Sequence, residues 1–237
     1  MSQAPRSALV LQHVPWETAG LIGEVLAEAR VPVETRSMLD DAGADLPAPG
    51  TLAALVVMGG PMGALDDAAH PGLAAERRLL ARCVEEGVPV LGVCLGMQLL
   101  AVALGAQLHA GHGTEIGFGP VDVVAPDPVL APLGPHPSVL HWHGDAVDLP
   151  PGADLLARSA VTPVQAFRVG SALGLQFHLE VGSALLGRWL ATAQMAADLD
   201  VHGIDDLADQ ADTALPALEL GARRGLAAFA AAALARA

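Results

Sequence analysis

The stretch Pro89-Val90-Leu91-Gly92-Val93-Cys94-Leu95-Gly96-Met97-Gln98 carries an apolar run into a single cysteine, and an apolar pattern of helical period follows at once. This predicts a strand over 88–93 and a helix over 95–104 closed by Gly105, with Cys94 on the sharp turn between them. Gly92 and Gly96 omit the Cβ atoms that would clash at such a turn. The helix start adds free backbone N–H groups and the positive end of the helix dipole. Both favour the thiolate, the reactive form of cysteine. A lone cysteine in isolation reads first as a buried structural residue, but the G-x-C-x-G spacing reverses this and points to a nucleophile mounted on an elbow.

Outward from this joint the chain alternates. Apolar runs at 8–14 and 52–58 and an alternating segment at 31–36 read as strands; 17–30 and 72–86 read as helices. Strands alternating with helices imply right-handed βαβ units and a parallel sheet. After Gly105 the texture changes to short strand-like runs at 120–125, 138–142, 153–158, 164–169 and 172–178, with Gly170-Ser171 at a hairpin turn. The fold class expected is α/β: a mostly parallel twisted sheet flanked by helices, with an added antiparallel β layer. From Gly182 the chain returns to Ala/Leu-rich helices, and Gly225 to Ala237 reads as a packed terminal helix. One domain over 1–237 is expected, with its core at about 8–190 and C-terminal helices over 183–237.

Composition narrows the function. The 237 residues are 52% hydrophobic and 16% charged, as in a compact globular chain. The net charge of −14 argues against nucleic acid as a partner. No apolar run is long enough to cross a bilayer, so no membrane association is expected, and no secretory signal pattern opens the chain. Two cysteines, Cys83 and Cys94, suggest no disulfide framework, and a reducing cytoplasm is the expected location. Lysine, asparagine and tyrosine are absent, which fits a GC-rich genome. Without lysine there is no Walker A loop, lysine Schiff base or lysine general base.

Three further motifs carry chemistry. His178 and Glu180 in Gln176-Phe177-His178-Leu179-Glu180 are two apart, so on a strand both face one side. An imidazole to take a thiol proton and a carboxylate to orient it are what a cysteine nucleophile needs. Met58-Gly59-Gly60-Pro61 follows a strand and can aim a backbone N–H at a developing oxyanion, with the Leu95 N–H as second donor. His141-Trp142-His143-Gly144-Asp145 has an H-x-H-x-D spacing also used for zinc, but position 146 is Ala where such sites continue with histidine. Each motif alone has an ordinary reading, as a surface ion pair, a plain βα turn or a strand. The histidines at 13, 70, 109, 112, 136 and 202 look like scattered surface or loop residues, and Cys83 falls on the apolar face of a helix.

Together these pieces resemble the class I (triad) glutamine amidotransferases, closest to the stand-alone branch related to the amidotransferase domain of GMP synthase. The ordered set Gly-Gly-Pro, Gly-x-Cys-Leu-Gly-x-Gln, His-Gly-Asp and Gln-Phe-His-x-Glu carries the resemblance over about residues 8–190. It implies a flavodoxin-like architecture, with Cys94 as nucleophile, His178 as base and Glu180 as its orienter. It also implies an oxyanion hole from Gly60 and Leu95, and contacts to the substrate head group from Gln98, Trp142, His143, Gly144 and Asp145. Leu179 stands where many relatives carry proline, and Trp142 where GMP synthases typically have serine. α/β-Hydrolases place their acid between nucleophile and histidine, and DJ-1/PfpI-type relatives usually have histidine after the cysteine, where this chain has Leu95.

The reaction so implied is hydrolysis of the glutamine side-chain amide through a cysteine thioester, giving glutamate and ammonia, with no cofactor and no metal. No adenylating S-G-G-x-D-S loop occurs in these residues, so a separate synthetase subunit is the expected consumer of the ammonia. A free-standing γ-glutamyl peptide or conjugate hydrolase is the alternative. A non-catalytic regulatory subunit and a metal-dependent hydrolase through His141 and His143 stand behind it.

Overall fold

The computed structural model describes residues 6–38 and 45–237. Its first half alternates as the periodicity predicts: β1 (Ser7–Gln12), α1 (Gly20–Glu28), β2 (Val33–Ser37), β3 (Leu52–Val57), α2 (Gly72–Glu85), β4 (Val90–Val93) and α3 (Leu95–Ala103). The strands lie in the parallel order β2-β1-β3-β4. The chain moves outward from β1 to β2 and returns past β1 to β3. That reversal opens a crevice at the carboxyl ends of β1 and β3. Side chains alternate across the sheet and divide the core in two. Ala8, Val10, Ala54 and Val56 pack on the side of α1, while Leu9, Leu11, Leu55 and Val57 pack on the side of α2 and α3.

The second half adds β5 (Leu108–His109), β6 (Glu115–Pro120), β7 (Asp122–Val123), β8 (Ser138–His143), β9 (Ala146–Val147), β10 (Asp154–Arg158), β11 (Ala166–Val169) and β12 (Ala172–Leu175). The antiparallel strands take two forms. β12 pairs parallel to β4, and β11, β10 and β7 continue from it antiparallel, giving one eight-stranded sheet. β6–β8 and β5–β9 are separate two-stranded ribbons. Three helices close the chain: α4 (Ser183–Leu190), α5 (Ala193–His202) and α6 (Leu207–Leu234). No helix among the described residues is long and apolar enough to cross a membrane.

Several boundaries differ from the sequence reading, among them β6 and β7 in place of one strand over 120–125, and two of the three that follow bear on function. The helix predicted over 17–30 begins only at Gly20, whose φ of +43° suits glycine and whose missing Cβ would collide with the Glu180 carbonyl. Residues 13–19 are thereby left as a loop at the crevice. The strand predicted over 172–178 ends at Leu175, because Gln176 turns to the Gln165 carbonyl and His178 to the Leu140 carbonyl. The terminal helix predicted from Gly225 starts at Leu207 and runs 28 residues.

Candidate active site

Cys94 stands where β4 becomes α3, with φ 52° and ψ −109°. An L-residue rarely adopts this backbone, so the surroundings must enforce it. The Cys94 N–H donates to Leu175 O at 2.8 Å, and Cys94 O accepts the Gln98 N–H at 3.1 Å. A Cβ on Gly92 would lie 2.5 Å from Gly96 O, and one on Gly96 would collide with the Val57 carbonyl. Both flanking glycines are therefore required, and strand, elbow and helix lock at one point. The Cys94 thiol faces the Trp142 carbonyl at 3.5 Å. Leu95, named with Gly60 as an oxyanion donor, is the first residue of α3, where an N–H has no intrahelical acceptor.

His178 and Glu180 follow β12 and are each 1% exposed. They remain partnered although the strand has ended, with His178 Nδ1 2.7 Å from Glu180 Oε1. The Leu21 N–H, in the first turn of α1, donates to Glu180 O at 3.0 Å and fixes the acid's backbone. Trp189 meets the His178 ring edge-on at 5.0 Å and donates from Nε1 to the Trp16 carbonyl. With Nδ1 committed to Glu180, the buried Nε2 has no hydrogen-bond partner among the described residues, and it lines the same cleft as Cys94. Burial opposes protonation of His178, but the Glu180 charge and the interactions with Cys94 overcome it and hold the imidazole well above its ordinary pKa.

The Gly59-Gly60 turn after β3 stands beside this trio. A Cβ on Gly60 would fall 2.9 Å from His13 Cβ and 3.1 Å from Leu95 Cδ2, so only a bare backbone fits. His13, read from sequence as a surface or loop residue, is 1% exposed and buried behind the turn. Its Nδ1 bonds the Gly59 carbonyl at 2.9 Å and its Nε2 bonds Glu76 Oε2 at 3.0 Å. Burial disfavours the charged ring, but the Glu76 carboxylate outweighs it and raises the His13 pKa. Glu17 is a second residue the sequence reading missed. It is 7% exposed and lines the cleft, and a Cβ on Gly59 would collide with its carboxyl while coming 3.5 Å from His178 Cε1. Burial pushes the Glu17 carboxyl up to about 7, against the pull of His178. His13 and Glu17 just beyond β1, at the crevice of a parallel sheet, are the signal that could have found both.

Gly60, Cys94, Gln98, Trp142, His143, Gly144, Asp145 and His178 line one cleft of about 360 Å³. Glu180 sits behind His178. Gln98 is buried, and its Nε2 reaches Asp145 O at 3.4 Å and Gln176 Oε1 at 3.2 Å. His202, also read as scattered, belongs to the cleft; His109 and His136 are surface partners of Asp148 and Asp122. Cys83 is fully buried on α2, and burial pushes its thiol up to about 12. His141 and His143 project from one face of β8, and Glu115, paired opposite His143 on β6, supplies the third group that position 146 lacks. One potential ligand atom from each lies within 4.8 Å of the others, a donor set that suits zinc.

A cysteine on a strand–helix elbow, a buried histidine–carboxylate pair and a glycine turn thus meet at the carboxyl edge of a doubly wound sheet, where open α/β folds bind their ligands. Comparison with known proteins agrees: residues 22–193 match the glutamine amidotransferase class-I family, and the chain belongs to it. Its curated relatives include the GMP synthase [glutamine-hydrolyzing] of Thermomicrobium roseum, 46% identical over 105 residues, or 44% of this chain and 20% of that protein. The corresponding protein of Xylella fastidiosa is 33% identical over 144 residues, 57% of this chain and 26% of its own. The chain thus spans only a fifth to a quarter of these relatives. Solved structures match along their whole length. A glutamine amidotransferase from Thermotoga maritima is 30% identical with a TM-score of 0.85, covering 96% of this chain and 99% of its own. One from Methylobacillus flagellatus is 26% identical at 0.81, covering 97% and 96%.

Proposed function

We propose that Cys94, His178 and Glu180 form a catalytic triad that hydrolyses the γ-amide of a glutamyl group through a thioester. The observation that carries this is the Cys94 elbow opening onto the same cleft as His178, with Glu180 2.7 Å behind the ring. The Cys94 sulfur attacks the γ-carbonyl carbon and a C–S bond forms. The oxyanion faces the Gly60 and Leu95 N–H groups, donors each worth about 3 kcal/mol in sites of this kind. The C–N bond breaks as His178 protonates the departing nitrogen. Water, deprotonated by His178, then attacks the thioester and releases the γ-carboxylate and the thiol. Glutamine yields glutamate and ammonia by this route, and the kinship with GMP synthases supports supply of ammonia to a separate synthetase. No step requires a metal or cofactor.

A free-standing γ-glutamyl hydrolase is a second reading. The observation favouring it is that the cleft extends past Cys94 to Trp16 and to Gln194, Met195 and Asp198 of α5, more lining than ammonia as leaving group calls for. The test is glutamate release from glutamine and from a panel of γ-glutamyl dipeptides, with Cys94→Ala as control. Both readings require Cys94-dependent release; turnover that survives Cys94→Ala overturns both. Faster release from dipeptides selects the hydrolase, and slow release from glutamine alone selects the amidotransferase subunit.

A further inference from the structure

The charge and aromatic lining of the cleft are unusual for this chain. All three tryptophans, Trp16, Trp142 and Trp189, border it. So do the carboxyl groups of Glu17, Asp145 and Asp198, while none of the twelve arginines does. Trp189 is fully buried behind His178, whereas Trp16 and Trp142 are half-exposed with surface available to a ligand. Asp198 Oδ2 accepts the Trp142 indole N–H at 3.3 Å, which ties the ring of β8 to α5 and brings a carboxylate to its edge.

The position of this lining matters. In the thioester route His178 gives its proton to the departing nitrogen, so the leaving group lies on the His178 side of Cys94. Glu17 is beside His178, its charge felt there, and Asp198 in turn acts on Glu17. His178 faces Glu17 and His202 follows Asp198 by one turn of α5, but no arginine lines the cleft. An anionic leaving group entering this space would therefore meet carboxyl groups compensated only by imidazoles already beside them. A neutral one would strip water from those carboxyl groups and return no partner. An ammonium group satisfies both carboxyls and is attracted to the indole faces.

We propose that the natural substrate is a γ-glutamyl amide whose leaving amine carries a second, positively charged nitrogen, held between the indoles of Trp16 and Trp142 and the carboxyl groups of Glu17 and Asp198. This rests on the amidohydrolase reading above and extends its free-standing form. Substrates of this class are made by a ligase joining glutamate to a di- or polyamine, so the reaction here would return the amine and glutamate.

The test is calorimetric binding to the Cys94→Ala protein, which needs no turnover. The ligands are the γ-glutamyl amides of putrescine, n-pentylamine and γ-aminobutyrate, similar in length with cationic, neutral and anionic tails. The cationic amide is expected to bind about tenfold more tightly than the neutral one and the anionic amide most weakly, with the preference shrinking as salt is raised. Asp198→Asn keeps an oxygen for the Trp142 N–H but loses the charge, and is expected to bring the cationic and neutral amides within about twofold. Three amides binding alike, an anionic preference, no binding, or a cationic preference untouched by both Asp198→Asn and Glu17→Gln would overturn the proposal. Glutamate release by the wild-type protein is measured in parallel. Cys94-dependent release with a flat binding order defeats only the charge preference, and Cys94-independent release defeats the triad.

Discussion

Glu17 gives the site a stability signature that depends on pH. Its carboxyl rises from an ordinary 4.5 to about 7 because burial disfavours the anion. Between those values the folded chain binds a proton that the unfolded chain has lost, so this residue's contribution falls as pH rises through that window. The full effect above pH 7 is about 3 kcal/mol. Glu17→Gln is therefore expected to leave the melting temperature nearly unchanged at pH 4.5 and raise it at pH 8, as followed by calorimetry. The two thiols offer a separate check. Iodoacetamide at pH 8 is expected to label Cys94 and spare Cys83, which is buried with its thiol at about 12, as peptide mass mapping would read directly. Labelling of Cys83 first would remove Cys94 from the mechanism. Cys94, His178 and Glu180 could be singled out as candidates from the sequence because each sits in a compact local motif, and the fold groups them at one cleft. His13 and Glu17 were not, since their meaning depends on Gly59, Glu76 and His178, which only the fold brings near: His13 is 46 residues from Gly59 and 63 from Glu76.

Two joints between elements carry the geometry. The first is β4 against α3, where a Cβ on Gly92 has no space beside the Gly96 carbonyl and the Met97 amide, 2.5 and 2.8 Å away. Gly92→Ala pushes the start of α3 off the strand and is expected to cost about 2 kcal/mol in denaturant unfolding and abolish glutamate release. The second runs from α2 through His13 to the turn after β3. Glu76→Gln removes the counter-charge of the buried His13 ring and is expected to cost about 3 kcal/mol where that ring is protonated. The loss should be greater at pH 5 than at pH 8, because the raised His13 pKa means its paired stability is present at low pH and fades as the ring deprotonates. Equal losses at both pH values would show that the pair is not charged. Elements with a strong apolar period, β3 and α2 above all, were readable within a residue or so. The start of α1 was not, because 17–19 fit a helical period while Gly20 is set by a contact with Glu180, far along the chain.

At the scale of the molecule, α6 is the brace. It packs on α1, and Gly225 lets it come so close to the 3-10 turn at Ala131–Leu133 that a Cβ would collide with the Val129 carbonyl. Gln210 near its start accepts the Phe118 N–H at 2.9 Å, steadying the ribbon that presents Trp142. Gly225→Leu is expected to lower stability by about 2–3 kcal/mol in urea unfolding. The continuity of the sheet across β4 and β12 was illegible in sequence, since pairing between segments some eighty residues apart leaves no local period. The backbone of Cys94, finally, has a consequence for the history of such chains. Its φ of 52° is a conformation that glycine adopts freely, so in Cys94→Gly the relieved strain, about 1 kcal/mol, offsets the lost packing and the added chain entropy, and the melting temperature is expected to stay within roughly 2 °C of the parent while glutamate release is lost. On the proposed mechanism, losing the reaction would then leave the fold intact. A descendant that dropped the cysteine would keep a stable scaffold with an open cleft, free to be recruited for recognition alone.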